Sequence, residues 1–123
     1  QEVAEGDLVV VIEDDGDIRA LLRTILEASG CDVRTASSGA DGIALVDDLL
    51  PDAITLDVSM PVMDGFETAT EIRTRHTIPI LMISARADER ALSRARDIGV
   101  DAFVTKPFRP RDLRQQLTAL LDA

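Results

Sequence analysis

Short β-branched runs alternate five times with segments of helical periodicity along the 123-residue chain. Apolar residues at helical spacing form one face of a helix, whereas short continuous apolar runs are typical of buried strands. Strict alternation of the two predicts a parallel sheet with helices on both faces. The predicted strands are Leu8 to Ile12, Asp32 to Ala36, Ala53 to Leu56, Ile80 to Ile83 and Ala102 to Thr105.

The residue pattern within the runs separates central strands from edge strands. Leu8 to Ile12 and Ile80 to Ile83 are apolar throughout, which is typical of strands covered by helices on both faces. Asp32 to Ala36 alternates polar and apolar residues, which predicts an edge strand. Because the length suits one core and no linker or repeat interrupts it, residues 1–123 are predicted to form a single doubly wound α/β domain, with residues 1–6 as a flexible N-terminal extension.

The charge balance argues against several classes of partner. The chain has 23 Asp and Glu against 13 Lys and Arg, so its formal net charge is -10. Nucleic acids and anionic membranes are bound mainly through Lys and Arg, so we expect neither partner. No apolar run approaches the roughly 20 residues of a membrane span, and no signal peptide opens the sequence. With Cys31 as the single cysteine, expected to be buried, we predict a cytoplasmic location.

Chemically active side chains follow four of the predicted strands. Glu13 and Asp14 follow the first, Asp57 the third, Ser84 the fourth and Lys106 the fifth. Ligands of doubly wound folds bind beyond these carboxyl ends. Two carboxylates 4 Å apart repel by roughly 4 kcal/mol at an effective dielectric near 20, so such a cluster needs a cation. Carboxylate oxygens without a large cage favour Mg²⁺.

These residue types suit phosphoryl transfer. A carboxylate can attack phosphorus and form an aspartyl phosphate. The transfer otherwise requires in-line positioning, a divalent cation and positive charge on the phosphoryl oxygens. Asp57 can supply the nucleophile, Glu13 and Asp14 the cation site, and Ser84 a hydrogen bond. Lys106, the only lysine of the chain, can supply the positive charge.

From Leu8 to Leu121 the chain resembles the receiver domains of two-component response regulators. The resemblance is carried by Glu13-Asp14-Asp15, the segment from Leu56 to Gly65, Ser84-Ala85, and Lys106-Pro107-Phe108. It implies a flavodoxin-like fold with five parallel strands in the order 2-1-3-4-5 and five helices. It also implies a signalling module, not an enzyme that turns over an external substrate.

The resemblance implies a role for each matched residue. Asp57 would accept a phosphoryl group from a sensor histidine kinase, a histidine phosphotransfer protein or a small phosphodonor. Mg²⁺ would be held by Glu13, Asp14, Asp57 and the backbone carbonyl of Ser59. Lys106 would pair with the phosphoryl group and form a cis peptide bond with the proline that follows it.

The resemblance also implies a switch and leaves the assembly open. Ser84 would move towards the phosphoryl group and Phe103 would change rotamer, which remodels the face of helix 4, strand 5 and helix 5. Ala102 and Gln116 stand where many DNA-binding members carry an acidic residue and an arginine that form a dimer, so the oligomeric state stays open. An output domain would lie outside this chain.

Other residues receive simpler interpretations. His76 is predicted to be a solvated loop residue, and Asp64 a helix cap. The arginines from Arg86 to Arg96 are predicted to lie on the fourth helix as a solvated, partly paired face.

Two functions of other classes remain in competition. Phosphatases of the haloacid dehalogenase type also use a strand-end Asp, but they need a second Asp two residues later as general acid, where this chain has Ser59. A silent binding module with a receiver-like fold would lack one of the acids or the lysine, and none is missing.

Overall fold

The computed structural model describes residues 6–122. Of the predicted N-terminal extension, residues 1–5 lie outside the described residues, and Gly6 donates a hydrogen bond to the carbonyl of Gly30 at 3.0 Å. Strands and helices alternate as predicted. Their order is β1 (Leu8–Ile12), α1 (Gly16–Ala28), β2 (Asp32–Ala36), α2 (Gly39–Leu49), β3 (Ala53–Asp57), α3 (Gly65–Arg73), β4 (Ile80–Ser84), α4 (Glu89–Ile98), β5 (Ala102–Thr105) and α5 (Pro110–Leu121).

The sheet has the order β2-β1-β3-β4-β5, and all of its strand pairs are parallel. This confirms the predicted doubly wound fold and places β2 at an edge, as its alternating pattern indicated. The strand order reverses at β1 and β3. In such sheets the crevice for a ligand opens at the carboxyl ends of the strands that flank this reversal.

Successive residues of β1 face two separate apolar layers. Val9 and Val11 pack in the layer formed with α1 and α5, whereas Val10 and Ile12 pack in the layer formed with α2, α3 and α4. Because helices cover both faces, a central strand is apolar at consecutive positions. Within residues 6–122, no helix is both long enough and apolar enough to cross a membrane.

Polar side chains cap the N-termini of four of the five helices between residues 6 and 122. Asp64 accepts the amide of Glu67, whose carboxylate accepts the amide of Asp64 in return, and this capping box confirms the predicted cap. Pro110 is the first residue of α5, a position that proline favours because its missing N–H is not needed there. The caps of the first four helices are Asp15, Ser38, Asp64 and Asp88.

Cys31 lies in the layer formed with α1 and α5 and is only 6% exposed, which confirms the predicted buried thiol. Burial raises the pKa of Cys31 to about 11, and the charges of Asp7 and Asp52 add to the effect. Because the thiolate is the reactive form, this cysteine is chemically inert at neutral pH.

Candidate functional site

Four strands end at one rim of the sheet and bring the predicted site residues together. The amide of Glu13, directly after β1, donates to the carbonyl of Ala36 at 3.0 Å. Asp57 and Ser84 are the last residues of β3 and β4. The amide of Lys106, directly after β5, donates to the carbonyl of Ser84 at 2.8 Å. These backbone contacts continue the strand pairing and fix where each side chain starts.

Three carboxylates form one cluster at this rim. Glu13, Asp14 and Asp57 each place an oxygen within 4.8 Å of the others. Glu13 and Asp57 are 1% and 2% exposed, whereas Asp14 is exposed. The cluster therefore combines two buried acids with one at the surface.

Lys106 reaches into this cluster. Its Nζ atom lies 2.8 Å from Oδ1 of Asp57 and 3.5 Å from Oε1 of Glu13. The contact with Asp57 is a charge-assisted hydrogen bond, and the contact with Glu13 is an ion pair longer than an ordinary hydrogen bond. The peptide bond between Lys106 and Pro107 is cis, as the resemblance implied.

The environment shifts the pKa of each group in the cluster. Burial, and then the charge of Asp57, raises the pKa of Glu13 to about 7. Burial also raises the pKa of Asp57, although Lys106 opposes the shift. For Lys106, burial disfavours the ammonium, but its contacts with Asp57 and Glu13 outweigh burial and raise its pKa. Lys106 is therefore held in its charged form, but its single positive charge cannot neutralise two buried carboxylates.

The cluster fits a hard divalent cation. Oε1 of Glu13 is buried and has no hydrogen-bond partner among the described residues. A buried carboxylate oxygen without a partner costs free energy, which a bound cation would recover. Every donor in the cluster is a carboxylate oxygen, the ligand type that Mg²⁺ prefers.

Ser84, at the end of β4, and Ser59, in the loop after β3, flank the nucleophile candidate. Ser84 is 2% exposed, and its hydroxyl accepts the amide of Arg86 at 3.0 Å. Ser59 lies exposed two residues after Asp57. Both serines line a groove of about 440 Å³ that runs between the β3–α3 loop and α4.

Arginines line the far side of this groove. Arg90 and Arg94 belong to α4, and the guanidinium of Arg94 lies 4.4 Å from the ring centroid of Phe66 in α3. Arg86 precedes α4, which begins at Glu89, so the prediction that it lies on the fourth helix is wrong. The reason is Asp88, whose side chain caps the helix and places Arg86 in the preceding loop.

Phe103 lies on β5, three residues before Lys106, and is half-buried against the layer formed with α2, α3 and α4. It lines a second groove, of about 290 Å³, between α4 and β5. The strand thus connects the lysine of the cluster directly to the predicted switch residue.

His76 is not the freely solvated residue that the sequence predicted. Its Nε2 lies 2.7 Å from Oδ1 of Asp47, and its side chain is only 15% exposed. Arg75 contacts the same carboxylate at 3.0 Å. Asp47 is on α2 and far away in the sequence, so local polarity did not reveal this contact. The group lies outside the carboxylate cluster.

Arg19 contacts the backbone that carries two of the clustered acids, and the sequence did not predict this contact. Its Nη1 donates to the backbone carbonyl of Glu13 at 2.9 Å and to that of Asp14 at 3.3 Å. The available signal was its position in the first turns of α1, because helical side chains slant towards the N-terminus and hence towards this loop.

Comparison with protein families and curated proteins gives a consistent match. A family model described as response regulator receiver domain matches residues 9–118. The transcriptional regulatory protein AfsQ1 of Streptomyces coelicolor is 39% identical over 113 residues, which cover 92% of this chain and 50% of that protein. The alkaline phosphatase synthesis transcriptional regulatory protein PhoP of Bacillus subtilis is 37% identical over 114 residues, which cover 92% and 48%. The chain therefore spans about half the length of these relatives.

Solved structures share the fold. The chemotaxis protein CheY4 of Vibrio cholerae superimposes with a TM-score of 0.90 at 29% identity, covering 94% of this chain and 98% of that one. A putative response regulator from Chloroflexus aurantiacus has a TM-score of 0.90 at 29% identity, covering 97% and 100%. Both of those chains are matched almost completely, so the fold occurs there as a unit of its own.

Proposed function

Since the chain belongs to the family of response regulator receiver domains of two-component systems, we propose that it is a switch operated by phosphorylation of Asp57. The observation that carries this proposal is the convergence of three carboxylates and one lysine, with Nζ of Lys106 2.8 Å from Asp57. An ion pair that served only stability would not need two further acids beside it, one of them buried with an unpartnered oxygen. In this proposal residues 1–123 form one receiver domain.

The transfer uses a carboxylate oxygen of Asp57 as the nucleophile. This oxygen attacks the phosphorus, the bond from phosphorus to the donor imidazole nitrogen breaks, and that nitrogen keeps the electron pair. Asp57 ends a fully buried strand, so its side chain has a fixed origin from which to align with the phosphorus.

The three clustered acids, Asp57 included, would hold the cation. Glu13, Asp14 and Asp57 would bind Mg²⁺ through their carboxylates, and Ser59 would bind it through its backbone carbonyl. The bound ion would neutralise charge on the transferring group. Between transfers, Lys106 partly balances the two buried carboxylates.

Lys106 and Ser84 would then read the phosphorylated state. The ammonium, at present bonded to Asp57, can pair with a phosphoryl oxygen attached to the same carboxylate. The Ser84 hydroxyl, which accepts the Arg86 amide, can donate its proton to another oxygen. Movement of Ser84 would draw the loop before α4, and Phe103 would repack between α4 and β5.

Partners follow from the chemistry of the transfer. The donor would be a sensor histidine kinase or a histidine phosphotransfer protein. The relatives named above are described as transcriptional regulators and are about twice as long. A DNA-binding output domain would therefore belong to another part of the protein, since this acidic domain is not expected to bind DNA itself.

A turnover enzyme is the weaker candidate. The position two residues after Asp57 holds Ser59, whose hydroxyl cannot serve as the carboxylic general acid of a haloacid-dehalogenase-type phosphatase.

The proposal is tested by incubation with acetyl phosphate and Mg²⁺, followed by intact-mass spectrometry. We expect one phosphoryl adduct per chain on the unaltered protein and none on Asp57→Asn, because the amide is not a nucleophile towards phosphorus. Asp48→Asn is the matched control, since Asp48 is an exposed aspartate of α2, and it should be labelled like the unaltered chain.

Two results would contradict the proposal. Absence of any adduct at saturating donor would indicate a silent module with a receiver fold. Sustained hydrolysis of many equivalents of a phosphate ester would indicate an enzyme.

A further inference from the structure

We propose that Arg19 is a positioning residue for the cation site, acting through the backbone of residues 13–15; the inference rests on the proposed function. Arg19 touches no carboxylate of the cluster. Its Nη1 instead donates to the carbonyl oxygens of Glu13 and Asp14, at 2.9 Å and 3.3 Å. These two residues supply two of the three clustered carboxylates.

The helix brings Arg19 to this loop. Asp15 caps α1 by accepting the amides of Asp17 and Ile18, so the helix begins directly after the acidic loop. A helical side chain slants towards the N-terminus, and the long arm of Arg19 therefore lies over the preceding turn. Because Leu22 and Leu26 anchor α1 in the core, Arg19 ties the loop to a rigid element.

The two carbonyl contacts determine how the acids are presented. A carbonyl direction defines the plane of its peptide unit, so holding both carbonyls orients the two peptide planes between Glu13 and Asp15. Those planes set the direction in which the exposed side chain of Asp14 leaves the backbone. The side chain of Glu13 is further constrained because its Oε2 accepts the amide of Asp15 at 3.2 Å.

An electrostatic role and a positioning role of Arg19 predict opposite changes in Mg²⁺ affinity when the residue is replaced. Its guanidinium is a cation near the site of another cation, so removing the charge alone would tighten Mg²⁺ binding. Removing a group that orients the ligands would weaken it, typically by about 10- to 100-fold for outer-shell partners of metal ligands. The direction of the change therefore identifies the role.

The experiment measures the affinity of Mg²⁺ by isothermal titration calorimetry on the whole chain. We expect Arg19→Gln to weaken binding by about 10-fold or more. The matched control is Arg23→Gln, which removes an equal charge one turn further along α1, where Arg23 pairs with exposed Glu27 at 3.3 Å. We expect this control to bind as the unaltered chain does.

A second variant keeps the test decisive if Arg19→Gln does not fold. Arg19→Lys retains the charge, but its side chain ends one bond short of the Nη1 atom that makes both contacts, so it should also weaken Mg²⁺ binding. Thermal unfolding in EDTA measures stability separately. If Arg19 only stabilised the fold, its replacement would lower the unfolding midpoint and leave the Mg²⁺ affinity of the folded protein unchanged.

The possible results separate this inference from the function on which it rests. Unchanged or tighter binding in both Arg19 variants, beside a binding-competent unaltered chain, would overturn the positioning role alone. If the unaltered chain itself bound no Mg²⁺, the proposed function would fail and this inference with it. Weaker binding confined to the Arg19 variants would support both.

Discussion

At the residue scale, Glu13 is a buried acid that its surroundings satisfy poorly. It is 1% exposed, one of its oxygens has no hydrogen-bond partner among residues 6–122, and a second buried carboxylate lies beside it. Lys106 forms its short contact with Asp57 and lies farther from Glu13. Glu13 is therefore poorly compensated when no cation is bound.

We expect Glu13→Gln to raise the free energy of unfolding at pH 8 in EDTA, by roughly 3 kcal/mol. The pKa of Glu13 in the fold is about 7 against an ordinary value of 4.5, so the fold favours the protonated form. Stability from this group is fully present below pH 4.5 and is lost as pH rises through 7. Glutamine resembles the protonated acid and avoids this loss.

Urea unfolding followed by far-ultraviolet circular dichroism measures the effect, since the chain has no Trp or Tyr. The stability difference between the variant and the unaltered chain should be large at pH 8 and small at pH 5. A difference that stays constant between these values would contradict the raised pKa. Saturating Mg²⁺ should selectively stabilise the unaltered chain at pH 8.

At the element scale, the position of α3 depends on a close approach to β3. A Cβ atom on Gly65, the first residue of α3, would lie 2.4 Å from the carbonyl oxygen of Asp57 and 2.6 Å from Cα of Val58. The amide of Gly65 donates to the carbonyl of Val58 at 2.8 Å. Both obstacles are backbone atoms of the segment that carries the phosphorylation candidate, so they cannot move without moving the site.

We expect Gly65→Ala to destabilise the fold by about 1–3 kcal/mol and to reduce phosphorylation by acetyl phosphate, because the loop after Asp57 must shift. Gly16→Ala is the matched control at the start of α1. A Cβ atom there would lie 3.6 Å from Nη2 of Arg19, an ordinary van der Waals contact that requires no shift. The control should be neutral or slightly stabilising, since alanine favours helix more than glycine does.

Chemical denaturation and the rate of adduct formation measure the two effects. Equal stability and equal labelling rates in the two glycine variants would show that the close approach is not needed.

A second set of contacts between elements stabilises the turn before β5. Arg73 of α3 donates to the carbonyl of Gly99 at 3.0 Å and contacts Asp101 at 2.8 Å. Asp101 also accepts the amide of Ile80 at 2.9 Å, at the start of β4. The end of α3, the α4–β5 turn and β4 are therefore joined by one side-chain pair, at the opposite end of the sheet from the carboxylate cluster.

At the scale of the whole molecule, the proposed switch requires the sheet to transmit a local charge change to a distant face. Lys106 contacts Asp57 at the rim and lies on the same chain segment as Phe103, which lines a groove together with residues of α4. Phosphorylation would exchange the partner of Lys106, and the displacement would pass along β5 to α4.

We expect Lys106→Ala to bind Mg²⁺ at least as tightly as the unaltered chain, because it loses a competing cation, while the response of α4 to phosphorylation is lost. Backbone amide chemical shifts of residues 89–98, recorded with and without acetyl phosphate, measure that response. Arg114→Ala, which removes an exposed charge from α5, is the control and should respond fully. Equal shift changes in Lys106→Ala and the unaltered chain would refute the coupling.

Much of the architecture was determined by local patterns in the sequence. The apolar run from Leu8 to Ile12 can be satisfied only where helices cover both faces, and the alternation from Asp32 to Ala36 only at an edge. Strand-end positions then placed Glu13, Asp57 and Lys106 at one rim, since all parallel strands present their carboxyl ends on the same side. These features depend on nearest neighbours in the chain or on the direction of strands, which the sequence encodes.

The tertiary structure decided the contacts between residues distant in sequence. The approach of Lys106 to Asp57, the contact of His76 with Asp47 and the path of Arg19 back to the acidic loop all depend on how packed elements orient long side chains. The pKa of Glu13 is likewise a property of burial among several elements. Composition and spacing specify which groups are present, but distances and desolvation arise only when the helices pack on the sheet.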